Sequence, residues 1–511
     1  MCSGSKAWLK TGCAYAWIVV GLFAATWVTS AGADRPDVLM LVIDDLRPML
    51  GCYGDTRIHT PNIDRLASES VVFDKAYCQY AKCGTSRLSL MTGLRPDAID
   101  VYSNNERDVR SFRKRRPQAY SIAAWLKQHG YHTQSFGKIY HDGWDNAGDW
   151  SQPSLPGRER EMWEVIDESD PTAPTKIADR FACPVMQSPD VPDDHLFAGR
   201  MTDAVLQSIA RTDIDQPRLM AVGYRRPHLP FVAPKKYFDL YRPDATWLTS
   251  VPLPKAEMPL MGWFNSDGYA GAASRFGIEM PPKPTRQQAM DLNGYELRSY
   301  LGVAKRGPID QQTQIDLVHA YAACVSFVDA QVGRVLDALE ASGRRDETVV
   351  MLFADHGWHL GEHSAWGKMT NFEIATRVPL MISAPDLAAA RTQSIAELVD
   401  LYPTLCELCS VPAPSHLEGE SLVDSLRNPG VVTDSHAMSQ YTRFRDRYMG
   451  RAVRTSDYRY VAWFDSSSNE IVARELYDHR TDPSETQNLA GEPDYNIIRT
   501  ELERMLTRSL P

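Results

Sequence analysis

The chain has 511 residues, with 55 Lys+Arg against 65 Asp+Glu and a formal charge of −10. Hydrophobic residues make up 43% and charged residues 23%, a globular balance that excludes a disordered chain, a collagen-like fibre and a multi-span membrane protein. The acidic balance argues against nucleic acid as the main partner, because phosphate binding calls for a basic face.

At the N-terminus, Lys6 and Lys10 precede an uncharged apolar run from Cys13 to Val28, and Ala31-Gly32-Ala33 reads as an A-x-A cleavage site. The run is shorter than the about 20 residues that span a bilayer comfortably. Residues 1–33 are therefore expected to be a signal peptide, cleaved near Ala33 on export. The cysteines beyond it are Cys52, Cys78, Cys83, Cys183, Cys324, Cys406 and Cys409. That odd number leaves at least one thiol without an intramolecular partner, and the pairing of the rest is open.

The expected fold begins at Asp37-Val-Leu-Met-Leu-Val-Ile-Asp44-Asp45, an apolar run ending in two carboxylates. Such runs fit a strand buried on both faces of a parallel sheet. The segment after Thr85 reads as a helix stopped by Gly93, with Cys83 at its N-terminus, where backbone N–H groups favour an anion. Helices are predicted over Tyr120–Gly130 and Gln311–Gly343, and strands over Thr133–Phe136, Leu219–Val222 and Leu380–Ile382. A second apolar run with a polar end is Thr348-Val-Val-Met-Leu-Phe-Ala-Asp355-His356-Gly357. Residues 142–195 and 241–313 lack periodicity and read as surface insertions over the mouth of a site. Beyond Pro412, short segments such as Tyr458–Trp463 and Glu475–Asp478 predict a small antiparallel region closed by a helix. The alternation of strands and helices is that of an α/β fold.

Ligands collect beyond the carboxyl ends of strands in open α/β sheets. If the two apolar runs are neighbours, Asp44, Asp45, Asp355 and His356 converge, and carboxylates packed that closely require a cation. Oxygen-rich ligation favours calcium or magnesium over zinc. Arg87, one helical turn beyond Cys83, could reach the same anion with its planar fork.

Cys83-Gly84-Thr85-Ser86-Arg87, followed by Leu88-Ser-Leu-Met-Thr-Gly93, resembles the formylglycine signature of type I sulfatases, nearest the iduronate-2-sulfatase-like branch. Ile43-Asp44-Asp45-Leu46, Phe136-Gly-Lys138-Ile-Tyr-His141, Arg226-Pro-His228-Leu-Pro-Phe231, Ala354-Asp355-His356-Gly-Trp358 and Trp366-Gly-Lys368 support the resemblance in that order. The tail Leu476-Tyr-Asp478, Asp482-Pro-Ser and Gln487-Asn488-Leu489 does so too. The third signature position, usually Pro and sometimes Ala, is Thr85 here.

The resemblance implies an alkaline-phosphatase-like mixed sheet flanked by helices, with residues 34–411 as the catalytic domain and 412–511 as a smaller C-terminal α+β domain. It implies hydrolysis of a sulfated carbohydrate, with a 2-sulfated uronate the best match. By the same resemblance, a maturation enzyme oxidises Cys83 to formylglycine, whose hydrated aldehyde attacks sulfur with one hydroxyl and expels sulfate with the other. Ca2+ would be held by Asp44, Asp45, Asp355 and His356, with the group at Cys83 beside it. Arg87, Lys138 and Lys368 would supply positive charge, His228 would protonate the leaving alcohol and His141 would assist sulfate release. Trp358 is a candidate wall for the sugar ring.

The alternatives are a phosphodiesterase or phosphonate hydrolase on the same scaffold, and an unmatured homologue that binds sulfated glycans without cutting them. Oligomeric state is left open. His359-Leu-Gly-Glu362-His363 matches an inverted zinc-peptidase pattern, but Gly357 and Gly361 predict a loop rather than the helix that chemistry needs. The basic run from Arg107 to Arg116 reads first as a solvated face.

Overall fold

The computed structural model describes residues 35–155, 181–251, 253–267, 273–432 and 436–508, together with the short strands Glu164–Val165 and Lys176–Ile177. The expected signal peptide and part of the first insertion lie outside the described residues. Residues 36–511 form one compact unit.

A mixed seven-stranded sheet is its centre. In chain order the strands are β1 (Asp37–Ile43), β2 (Val71–Tyr77), β3 (His132–Gly137), β4 (Arg218–Tyr224), β5 (Thr348–Ala354), β6 (Arg377–Ser383) and β7 (Ala390–Glu397). Their spatial order is β7-β2-β6-β5-β1-β4-β3. β1 runs parallel to both β4 and β5, and β3 runs parallel to β4; β6 is antiparallel to β5 and β2. The β1 side chains from Val38 to Ile43 are all buried, each worth roughly 1.5–3 kcal/mol of transfer free energy. Because β1, β3, β4 and β5 are parallel, their carboxyl ends open on one edge.

Helices cover the sheet. α1 (Pro61–Ser68) and α4 (Phe197–Ile209) pack against α5 (Gln311–Ala341), a helix long and apolar enough to cross a membrane that instead lies largely buried within the protein. The Asp310 side chain caps α5 by accepting from Thr313 N. α2 (Cys83–Thr92) is buried along its whole length and ends at Gly93, whose φ is 66°. α3 (Ile122–Gln128) starts at Ser121, whose side chain accepts from Ala124 N. Strands β2 and β7 escaped the sequence reading. β2 carries Asp74 and Lys75 inside its apolar pattern, and β7 alternates too irregularly at its start.

The C-terminal part is a four-stranded antiparallel sheet, β8 (Ala437–Arg443), β9 (Tyr448–Arg454), β10 (Tyr458–Asp465) and β11 (Ile471–Asp478), in that spatial order. Helix α6 (Asn496–Arg508) closes it, burying Leu502 and Leu506 against Val453, Tyr460 and Leu476. β8 is tied to the loop before α2 by a Gln440 N to Gln79 O bond of 2.9 Å and a contact of 3.0 Å between the Tyr80 and Thr442 hydroxyls.

Candidate active site

Each strand end delivers a charged group to the shared edge. β1 ends at Ile43, and Asp45 turns the chain with a left-handed φ of 60°. β5 ends before Asp355-His356, β3 before Lys138, and β4 leads into the loop that carries His228. Close packing fixes β3 against β4: a Cβ on Gly223 would lie 2.0 Å from the Lys138 carbonyl oxygen. At the start of α2, a Cβ on Gly84 would meet Asn104 Oδ1 at 2.5 Å and the Trp144 ring at 2.7 Å, so only glycine fits beside Cys83.

The fully buried Arg87 is the hub. Its Nε donates to Asp355 Oδ2 at 2.8 Å and its Nη2 to Asp44 Oδ1 at 3.1 Å. Its Nη1 donates to the carbonyls of Lys138 and Ile139. A single Nη2 N–H is left over, so Arg87 mainly holds the two carboxylates in register. Lys138 Nζ donates to Asp44 Oδ2, and Lys368 Nζ donates to Asp45 Oδ1 at 2.8 Å. Cys83 Sγ stands 3.2 Å from His356 Nε2 and 3.3 Å from Lys368 Nζ. Ser86 Oγ donates to the Asp355 carbonyl at 2.6 Å, and Thr85 Oγ1 donates to the Val101 carbonyl at 2.8 Å, which gives threonine a place at that signature position.

His356 Nδ1 contacts the Gly357 carbonyl at 3.0 Å, so the proton sits on Nδ1 and Nε2 offers its lone pair. That Nε2 is 3.5 Å from Asp45 Oδ1 and 3.5 Å from Asp355 Oδ2. Donors about 2.4 Å from one hard cation and at right angles to each other stand about 3.4 Å apart, so these separations suit ligands of a single ion. One ligand atom from each of Asp44, Cys83, Asp355 and His356 lies within 4.8 Å of the others, and the same holds for Asp44, Asp45, Cys83 and His228. The donor set, mostly oxygen with one imidazole and one sulfur, fits a hard divalent cation better than a soft one.

Electrostatics point the same way. Burial would raise Asp44, but Lys138 and Arg87 hold it well below the usual carboxylate range. Burial drives Asp45 well above that range, with Lys368 opposing and Asp44 adding to the rise, as in a site short of positive charge. Burial and then Asp44 push the Cys83 thiol up to about 11, so as a cysteine it is protonated and a weak nucleophile at neutral pH. Burial and Lys138 bring His141 down to about 3, while burial and Lys368 hold His228 well below its usual value. His228 Nδ1 contacts the Leu229 carbonyl at 2.6 Å, leaving Nε2 to face Asp45 at 3.9 Å. His141 Nδ1 is buried without a hydrogen-bond partner among the described residues, and its ring meets Trp144 edge-on at 5.4 Å.

Trp358 packs against Lys368. It is fully buried, with the Lys368 ammonium 5.1 Å from its ring centroid and Phe231 edge-on at 6.4 Å. The Lys368 contact is a cation–π interaction that steadies the ammonium. The zinc-peptidase pattern forms a short hairpin, as the glycines predict: His359 Nε2 meets Thr370 Oγ1, His363 Nε2 meets the Ser484 carbonyl, and Glu362 pairs with Arg47. The basic run falls on the helix Glu106–Arg115, with Arg107, Arg110 and Lys114 exposed.

Sequence reasoning missed Glu296. It comes from the 241–313 insertion and stands 3.5 Å from His228 Nε2 and 3.7 Å from Lys368 Nζ. Nothing in Asn293-Gly-Tyr-Glu-Leu-Arg298 marks it, because a lone acidic residue in an aperiodic segment is usually solvated. The buried Arg225–Asp142 pair, 2.6 Å apart, went unread for the same reason.

Residues 36–411 match the sulfatase family, and residues 361–510 match the family described as N-sulphoglucosamine sulphohydrolase, C-terminal. The iduronate 2-sulfatase of Homo sapiens is 31% identical over 547 aligned residues, covering 92% of this chain and 94% of that one. A solved 2-O GAG sulfatase superposes with a TM-score of 0.63 at 20% identity over 93% of this chain and 92% of its own. The phosphonate monoester hydrolase of Agrobacterium radiobacter gives a TM-score of 0.68 at 20% identity over 93% and 95%. These structures share the alkaline-phosphatase-like fold. With the family matched over most of its length and a relative of this identity covered nearly end to end, the chain belongs to the sulfatases, hydrolases of sulfate esters.

Proposed function

We propose that this sulfatase is exported, is matured by oxidation of Cys83 to formylglycine, binds calcium, and removes sulfate from a sulfated carbohydrate, a 2-sulfated uronate. The observation that carries this reading is Cys83 at the N-terminus of α2, within 3.3 Å of both Lys368 Nζ and His356 Nε2 and beside Asp44 and Asp355. The identity to iduronate 2-sulfatase supports the uronate.

Charge supports the cofactors. With every carboxylate ionised, Asp44, Asp45, Asp355 and Glu296 face the cations Arg87, Lys138 and Lys368 with one negative charge in excess. A divalent cation turns that into one positive charge, which a sulfate monoester anion neutralises. When present, the formylglycine would supply the attacking hydroxyl, and calcium held by Asp44, Asp45, Asp355 and His356 would withdraw charge from the sulfuryl oxygens. Lys138 Nζ, which donates to Asp44 alone, has donors to spare for those oxygens, and Lys368 Nζ would meet them from its place beside Cys83. Arg87 keeps Asp44 and Asp355 in register. His228 gives the leaving alcohol a proton from Nε2, while its Nδ1 proton stays on the Leu229 carbonyl. His141, held neutral, accepts a proton as sulfate departs.

The test is peptide mass spectrometry across Cys83 on protein from its native host, with sulfate release measured on a 2-sulfated uronate glycoside. An aldehyde at Cys83 together with sulfate release is the expected result. An unmodified thiol that binds sulfated glycans without cutting them would sink this reading. Hydrolysis of a phosphonate ester with none of any sulfate ester would move the activity to the other branch of the fold.

A further inference from the structure

We infer that Glu296 is a specificity-determining residue that accepts a hydrogen bond from a free hydroxyl adjoining the sulfated carbon of the substrate. This inference rests on the sulfatase reading above and narrows the substrate class.

The carboxylate is rigidly presented. Glu296 sits on the one-turn helix Tyr295–Arg298. Asn265 Oδ1 accepts from Gly294 N at 2.9 Å and Ser266 Oγ accepts from Tyr295 N at 2.9 Å. The Arg298 guanidinium donates to the carbonyls of Asn293, Ala304 and Gly307 at 2.7, 2.6 and 2.7 Å. Glu296 itself is 7% exposed. Its Oε1 lies 3.5 Å from His228 Nε2 and its Oε2 3.7 Å from Lys368 Nζ, both beyond a good hydrogen bond. Oε2 has no hydrogen-bond partner among the described residues. A buried carboxylate oxygen left without a donor is costly, so a ligand is the natural source of one.

The nature of that donor follows from charge. A carboxylate repels sulfuryl oxygens, so Glu296 does not take its donor from the sulfate itself. It stands against His228, which in the proposed reaction serves the leaving oxygen, and therefore faces the alcohol side. On a sugar ring the nearest donor to the leaving oxygen is the hydroxyl of the neighbouring carbon. An O–H to carboxylate bond there is short and strong. A second sulfate or a carboxylate at that place would be rejected by like charge, so a uronate must turn its own carboxylate away.

The experiment is a cycle between residue and substrate. Wild-type protein, Glu296→Ala and Glu296→Gln are each assayed on a 2-sulfated uronate glycoside and its 3-deoxy analogue. Wild type is expected to prefer the hydroxyl-bearing ester by roughly 10²-fold in kcat/KM, because a site built to pair a hydroxyl penalises its loss. Glu296→Ala should shrink that preference to within about 3-fold, and Glu296→Gln, which keeps an acceptor but no charge, should fall between. If the variants slow both esters alike, Glu296 acts on His228 or Lys368 and the inference is wrong. If wild type itself is indifferent to the hydroxyl, the inference fails whether or not the variants fold. Wild type is also assayed on 4-nitrophenyl sulfate: no sulfate release from any of the three esters would overturn the sulfatase reading, a result distinct from release without hydroxyl preference.

Discussion

His228 has its Nδ1 proton fixed on the Leu229 carbonyl, and burial with Lys368 disfavours a second proton on Nε2 in the resting site. In the proposed reaction the sulfate ester anion brings a negative charge that opposes this shift. His228→Ala is expected to lower kcat on a sugar sulfate by about 10²–10³-fold. The loss on 4-nitrophenyl sulfate should stay below about tenfold, since nitrophenolate leaves without help. Equal losses on both esters, measured as sulfate release, would remove His228 from proton transfer. At this same scale Trp358 shows what a sequence leaves undecided. Its position after Asp355-His356 placed it at the site, but which side its ring faces depends on Lys368 and Phe231, which arrive from elsewhere in the chain.

Helix α2 must hold Cys83 still against the ends of β1 and β5, and it does so by burying even its polar side chains with a partner each. Thr85→Ala leaves the Val101 carbonyl without its side-chain donor and is expected to cost about 1–2 kcal/mol in chemical denaturation. A change below a few tenths would show that this carbonyl is served otherwise. In the C-terminal sheet, Glu475 on β11 accepts from Trp463 Nε1 at 2.7 Å and Tyr477 OH at 2.6 Å, and burial raises it to about 7. Its folded value lies above its unfolded value, so the stability tied to its proton is complete below about pH 4.5 and is lost as pH rises through about 7. The loss amounts to about 3 kcal/mol. Glu475→Gln should abolish that slope, gaining on wild type between pH 4.5 and 8 in denaturant titrations. Parallel curves for the two proteins would refute this.

At the scale of the molecule, the proposed cation site joins the ends of β1 and β5, the start of α2 and the Lys368 loop, segments that only the tertiary fold brings together. Calcium binding to the folded form alone stabilises by about 2.7 kcal/mol at a hundred times its Kd. Chelation is therefore expected to abolish sulfate release and lower Tm together, with both restored by calcium. A Tm unmoved by chelation in active protein would argue against a resident cation. The site also takes Glu296 from the 241–313 insertion, while β8 is bonded to the loop that precedes Cys83, so distant stretches of chain meet around Cys83.

The strands β1 and β5, the stop of α2 at Gly93 and the long helix α5 were legible in the sequence because each is set by local patterning: an apolar run, a glycine, a long apolar stripe. Asp44, Asp45, Cys83, Arg87, Asp355 and His356 were legible because their chemistry is written in short motifs at strand and helix ends. β2, β7, Glu296 and the true setting of Trp358 were not, since each owes its burial to partners far away in the chain. By itself the sequence determined which residues could hold a cation and carry a nucleophile. Only the tertiary structure decided which charges compensate one another and which buried carboxylate oxygen is left without a donor, because charge balance and burial are properties of neighbours in space.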